Sequence, residues 1–317
     1  MMRLAVLPEP GRFEIVEEPI PAIAEDEVLV RVAACGVCAS ELDIFSGKQS
    51  HAKVPWYPGH EVSGVVERKG RRARKFRRGD PVAVWVTTRG FADYVAVKEE
   101  YCFPTGEVPL ELALGEPIAC AVNAVELAAP AVGDDVVIIG AGFMGLMVQQ
   151  LVQLRGPNQV IVADTRPDAL ERARALGAAR VVNVLEESLI RQVKKWTTRV
   201  GADVAFEVTG QQAPLEALGK ITRMSGTVVL AGYHQGKPRR IPLGQWNWMA
   251  FRIVNAHFRD VQTIMRGMQA GMRLLLSGRL SMEGMVTHSF PLEDIEKAFR
   301  TAVEKPEGFV KATVRMP

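Results

Sequence analysis

Val136-Val-Ile-Ile-Gly-Ala-Gly-Phe-Met-Gly145 constrains the fold of this 317-residue chain more than any other segment. Its four β-branched residues read as a fully buried strand, and Gly-x-Gly-x-x-Gly then makes a tight turn that opens a helix. A buried strand feeding a helix belongs in a parallel sheet covered on both faces. The alternation continues with helix 142–155, strand 159–163, helix 166–176 closed by Gly177, strand 181–184 and helix 187–197. Strand 204–207, helix 213–220 and strand 227–231 follow, and a helix over 117–129 with proline in its first turn comes before. Crossovers through single helices are right-handed, so this region predicts a doubly wound parallel α/β sheet.

The first third has another texture. Short β-branched runs at 28–32, 62–66, 82–86 and 91–97, bounded by Gly, Pro, Asp or Arg clusters, predict a compact and mostly antiparallel β region. The tail reads as helix 261–276, strand 286–290, helix 292–303 and strand 309–314, with no second dinucleotide signature. It is expected to pack back on the first region. The expected domains are therefore 1–121 with 258–317, and 122–257 between them.

Bulk properties exclude several classes. No uncharged apolar run reaches the roughly 18 to 20 residues that span a bilayer, so no membrane partner is expected. Residues 1–8 are too short an apolar stretch for a secretory leader, and four cysteines make no disulfide framework, so a cytoplasmic location is expected. A net charge of +3 implies no polyanionic partner and no nucleic acid. One exception is local: eight of eleven residues from Arg68 to Arg78 are Lys or Arg. They read either as a nucleic-acid or membrane patch or, with no aromatic platform or basic helix beside them, as a solvated turn between strands.

The Gly-rich turn defines a cofactor site. Gly140, Gly142 and Gly145, with Phe143 and Met144 between, place a pyrophosphate at the positive end of the following helix. Asp164 ends the next strand, 19 residues after Gly145, where it can accept bonds from ribose hydroxyls. A 2′-phosphate about 4 Å away would be repelled by roughly 4 kcal/mol per charge pair at an effective dielectric of 20. NAD is thus favoured over NADP, although Arg166 can swing towards a phosphate.

Cys38 and the His60 of Gly59-His-Glu61 are candidate zinc ligands, since a thiolate and an imidazole suit that ion. A catalytic zinc needs about three protein ligands and one open position. The third is Glu61 or Glu116, the latter at a helix start. Each residue also has a purely structural reading: a small buried thiol, a core histidine, a carboxylate favoured by the helix dipole. Cys35, Cys102 and Cys120 read as packing thiols.

Cys35-Gly-Val-Cys-Ala-Ser-Glu-Leu-Asp43, Gly59-His-Glu-Val-Ser-Gly-Val-Val66, Gly79-Asp-Pro-Val-Ala-Val84, Glu116-Pro-Ile and the turn 140–145 together resemble the zinc-dependent medium-chain dehydrogenase/reductases. Phe206-Glu-Val-Thr-Gly210 and Gly226-Thr-Val-Val-Leu-Ala-Gly232 extend the match. Glu116-Pro117 looks most like the polyol and threonine dehydrogenase branch. The resemblance implies a GroES-like catalytic domain plus a Rossmann domain. It also implies one catalytic zinc on Cys38, His60 and Glu116 with Glu61 as a neighbouring carboxylate, and NAD as cofactor. Ser40 matches the hydroxyl that meets the substrate oxygen. Asp43 stands where some members end their proton relay in histidine. The lobe that carries a structural zinc in many members is missing between Val86 and Gly90, so one zinc per chain is expected. The implied substrate is a secondary alcohol or its ketone, and the implied assembly a homodimer or homotetramer. Trp85 and Val86 are candidate pocket walls, and Trp246 and Trp248 a candidate pocket or subunit contact. The competing readings are a zinc-free, NADPH-dependent quinone or enone reductase, and a nucleotide-binding sensor that contacts nucleic acid through residues 68–78.

Overall fold

The structure is a computed structural model that describes residues 1–49 and 53–317. Along the chain run β1 (Met2–Glu9), β2 (Arg12–Glu18), β3 (Glu27–Gly36), α1 (Ala39–Phe45), β4 (Glu61–Lys69), β5 (Pro81–Trp85), β6 (Tyr94–Lys98) and β7 (Cys102–Pro104). Next come α2 (Gly115–Ala128), β8 (Asp135–Ile139), α3 (Phe143–Gln153), β9 (Gln159–Asp164), α4 (Pro167–Ala175), β10 (Arg180–Asn183), α5 (Leu189–Trp196) and β11 (Ala202–Glu207). The last are α6 (Gln212–Ile221), β12 (Thr222–Leu230), α7 (Leu243–Trp248), β13 (Arg252–Asn255), α8 (Val261–Leu276), β14 (His288–Pro291), α9 (Ile295–Glu304) and β15 (Ala312–Arg315). They form two compact units, Met1–Ala119 with Ile264–Pro317, and Cys120–Thr263.

In the first unit, a sheet runs in the order β14-β15-β3-β4-β5-β7 with β6 also on β3, and β1 and β2 form a separate hairpin. All pairings but β14 with β15 are antiparallel. β3 is the axis, because Val28, Val30 and Val32 face one core that also takes Val62, Phe91, Phe299 and Val314. Its C-terminal residue Gly36 pairs with Glu61 on one side and Thr313 on the other. That register brings three distant parts of the chain to one spot.

β1, β2 and α1 went unread in the sequence. β2 is mostly charged and half exposed, and α1 is only seven residues long, so neither carries a clear period. The strand expected over 309–314 forms later, because Phe309 is held in a turn by its N–H bond to the Pro306 carbonyl.

The run from Arg68 to Arg78 takes in the last two residues of β4 and most of the turn that leads to β5. Ala73 and Phe76 are buried as two pegs. The carboxylate of Glu99 accepts the N–H groups of Arg74, Lys75 and Phe76 at 2.8, 2.6 and 3.1 Å. Glu25 pairs with Arg71 and Arg72, and Glu67 with Arg78.

The second unit is a six-stranded parallel sheet in the order β10-β9-β8-β11-β12-β13. Its central strands are buried on both faces, which is why they read as unbroken apolar runs. The helices start where local chemistry allows. Pro167 opens α4, and Ser188 caps α5 by accepting the Arg191 N–H at 3.4 Å. The chain leaves β8 in one direction across the sheet and returns to β11 on its other side. Ligands of such sheets bind at that reversal, beyond the carboxyl ends of the strands.

Candidate metal centre and dinucleotide turn

Three elements of the first unit converge on one group of donors. Cys38 lies just before α1, His60 just before β4, and Glu61 is the first residue of β4. The Cys38 thiol, a His60 ring nitrogen and a Glu61 carboxylate oxygen all lie within 4.8 Å of one another. Among the described residues no other group of three such donors is found. Donors about 2.0 to 2.3 Å from one tetrahedral zinc are separated by roughly 3.3 to 3.8 Å, so small side-chain shifts would close this set on an ion. Sulfur, imidazole and carboxylate are also the right chemistry for zinc. The residues fit the metal.

Two residues absent from the sequence reading build this centre. Glu41, in the first turn of α1, is 1% exposed. Its carboxylate accepts the Gly59 N–H at 2.7 Å and lies 3.0 Å from His60 Nδ1. A carboxylate at Nδ1 selects the tautomer with its proton there and leaves Nε2 as a lone pair for a cation. Burial alone would depress the His60 imidazole, but Glu41 and the Cys38 sulfur outweigh it and hold its pKa well above the ordinary value. The second is Lys311, whose Nζ lies 2.7 and 2.6 Å from the two carboxylate oxygens of Glu61. Burial pulls the Lys311 ammonium down, yet Glu61, followed by Cys38 and Glu116, raises it above the usual lysine range, so it stays charged. Gly36 makes this pair possible, because a Cβ there would collide with the Glu61 carboxylate.

Glu116 falls outside the 4.8 Å group. It stands half-buried in the first turn of α2, and its charge is felt at Lys311. Ser40 donates from Oγ to the Cys38 sulfur at 3.2 Å. Asp43 is half-buried, one carboxylate oxygen 3.9 Å from the Lys48 ammonium. Cys35 and Cys102 are packing thiols, and burial pushes Cys102 up to about 12. Trp85 is half-buried with Tyr101 edge-on to it at 5.0 Å. Trp246 and Trp248 do not act as a pair. Trp246 is buried in the core of the second unit, edge-on to Phe251, whereas Trp248 is 79% exposed.

In the second unit the turn after β8 has the predicted shape. Gly140 adopts φ +115°, and a Cβ on Gly145 would collide with the Gly140 carbonyl, so the helix can approach the strand only with glycine there. Gly142 begins α3 with no side-chain cap and open space around its missing Cβ. A helix start of this kind turns its positive end towards an anion. Phe143 is buried and Met144 half-buried. Asp164 accepts the Ala141 N–H at 2.7 Å and those of Thr165 and Arg166 at 2.8 and 3.0 Å. It therefore braces the turn, a role the sequence did not suggest. Arg166 Nε lies 3.5 Å from the same carboxylate.

Comparisons with known proteins agree with this arrangement. Residues 24–147 match the family described as the alcohol dehydrogenase GroES-like domain, and residues 144–277 match the zinc-binding dehydrogenase family. The chain belongs to the zinc-dependent medium-chain alcohol dehydrogenase family. The sorbitol dehydrogenase of Bacillus subtilis is 27% identical over 99% of this chain and 97% of its own length. D-arabinitol dehydrogenase 1 of Uromyces fabae is 28% identical over 92% and 90%. A solved Escherichia coli structure, an oxidoreductase/dehydrogenase of unknown specificity involved in membrane biogenesis, superposes with a TM-score of 0.91 at 27% identity, covering 100% of this chain and 99% of that one. The first unit of this dehydrogenase is accordingly GroES-like and the second a Rossmann fold.

Proposed function

We propose that this dehydrogenase transfers a hydride between a secondary alcohol or polyol, or the matching ketone, and NAD, at a zinc held by Cys38, His60 and a carboxylate. The observation that carries the proposal is the convergence of those three donor types within 4.8 Å. Of the two candidate carboxylates, Glu61 is favoured because it lies in the cluster. A zinc bound there acts as a Lewis acid, polarising the substrate oxygen and lowering the hydroxyl pKa.

The chain's own residues do the rest. Glu41 holds the His60 ring in the orientation that presents Nε2. Lys311 balances one negative charge of a site that otherwise gathers thiolate and carboxylates. Ser40 exchanges its bond to the Cys38 sulfur for one to the substrate hydroxyl, takes that proton and passes it towards Asp43 and solvent. The open start of α3 receives the pyrophosphate, and Asp164 meets the adenosine ribose, which favours NAD over NADP. The names of polyol dehydrogenases among the relatives support a polyol as substrate. A homo-oligomer with one zinc per chain completes the reading.

The test is a zinc assay beside a screen of polyols and secondary alcohols with NAD. Wild-type protein is expected to hold one zinc per chain and to reduce NAD. Cys38→Ala and His60→Ala are expected to lose both metal and turnover. Full turnover in metal-free Cys38→Ala would end the proposal.

A further inference from the structure

A second buried network lies in the Rossmann unit, away from the metal ligands, at the carboxyl ends of β11 and β12. Glu207, the last residue of β11, is wholly buried. Its Oε1 accepts the N–H groups of Thr209 and Gly210 at 2.6 and 3.0 Å and the Thr209 hydroxyl. Its other oxygen lies 2.7 Å from His234 Nε2, a close contact short of an aligned hydrogen bond, and neither atom has another hydrogen-bond partner among the described groups. Arg239 completes the chain. Its Nε donates to His234 Nδ1 at 3.3 Å, which assigns the imidazole proton to Nε2, facing the carboxylate. A second guanidinium nitrogen donates to the Gly210 carbonyl at 2.9 Å. Further out, the Gln212 side-chain amide pairs with the Arg240 backbone at 2.7 and 3.0 Å. The loop after β11 and the loop after β12 are thus fastened together by side chains from both.

The fastened loop touches the phosphate turn. A Cβ on Gly140 would lie 2.8 Å from a Thr209 methyl and 2.9 Å from a Val208 methyl. Strand order places β9, with Asp164, on one side of β8, and β11 then β12 on the other. A dinucleotide bound across this reversal has its adenosine half over β9 and its nicotinamide half over β11 and β12. The network therefore backs the nicotinamide side alone.

We infer that Glu207, His234 and Arg239 are positioning residues that clamp the Val208, Thr209 and Gly210 loop against the Gly140 turn and thereby set how tightly the nicotinamide half of the cofactor is held. The inference rests on the dinucleotide reading above. It assigns no contact between these three side chains and the cofactor. They act through Gly210 and Thr209.

The experiment compares NAD with ADP, which carries only the adenosine half, by calorimetric titration of Arg239→Ala, His234→Ala and His234→Gln, with thermal melts alongside. Loss of one charge-assisted bond in the clamp is expected to weaken NAD by about tenfold in Arg239→Ala and His234→Ala. ADP binding should stay near wild type, and His234→Gln, which keeps an N–H for Glu207, should recover most of the NAD affinity. Arg239 is half-buried at the surface, so its variant carries the test even where His234→Ala fails to fold. Unchanged NAD affinity in Arg239→Ala, or equal weakening of NAD and ADP, overturns the inference. Wild-type protein that binds ADP but gains nothing from the nicotinamide half, or binds neither, would sink the cofactor reading instead.

Discussion

Glu41 and Lys311 make the candidate metal centre a matter of paired charges as well as ligands. Glu41→Ala removes the acceptor at His60 Nδ1 and frees the ring to turn. Losing such an outer partner typically costs 10- to 100-fold in metal affinity, so chelator competition should show zinc bound roughly that much more weakly. Equal retention in the variant would mean that the packing around His60, not Glu41, orients the ring. Lys311→Met keeps most of the unbranched side chain and removes its charge. Glu61 would then be a buried carboxylate without its cation, a situation that costs about 3 to 5 kcal/mol. Chemical denaturation of the metal-free protein should report a loss of that order, since zinc would otherwise supply a substitute charge. Neither residue was visible beforehand, for different reasons. Glu41 sits in the quoted Cys-to-Asp motif, and its place three residues into a helix start was a usable signal. Lys311 offered only a weak one, a lone charge inside the apolar run Phe309-Val-Lys-Ala-Thr-Val314. Its partner is 250 residues away, and no local pattern encodes such a pairing.

At the scale of elements, most of the second unit was legible because its central strands are buried on both faces and α4 and α5 open on Pro167 and on a Ser188 cap. Two opposing magnitudes meet at Gly145, inside α3. Alanine favours an exposed helix position over glycine by about 0.5 to 1 kcal/mol. Here the added Cβ would collide with the Gly140 carbonyl, and overpacking costs about 1 to 3 kcal/mol. The collision should win. Gly145→Ala is expected to lower the melting temperature and weaken NAD; a more stable variant with intact binding would show that the turn relaxes freely. The first unit was less legible. β1 is a short apolar stretch with no period of its own, β2 is mostly charged, and α1 is defined by what surrounds Cys38 rather than by its own period. The basic turn shows the same limit from the other side. Its composition drew notice, whereas its shape depends on Glu99, which lies beyond the run and is buried beneath it.

For the molecule as a whole, the two compact units each have their own apolar cluster and, on the proposed function, their own ligand. Ligands that bind only the folded form stabilise by mass action, by about 2.7 kcal/mol at one hundred times the dissociation constant. Calorimetry should therefore show NAD raising the transition of the Rossmann unit, while zinc removal lowers that of the GroES-like unit. A melt indifferent to both would contradict the cofactor assignments. Residue types and their local spacing determined the parallel sheet, the phosphate turn, and Cys38 and His60 as candidates, because burial periods, tight turns and soft ligands leave marks within a few neighbouring positions. Only the tertiary structure decided that Glu61 lies within 4.8 Å of those two, that Lys311 faces it, and that Glu207 reaches His234. Those contacts are set by strand register and buried charge compensation between segments far apart in the chain, where free energy depends on distance in space and not on separation along the backbone.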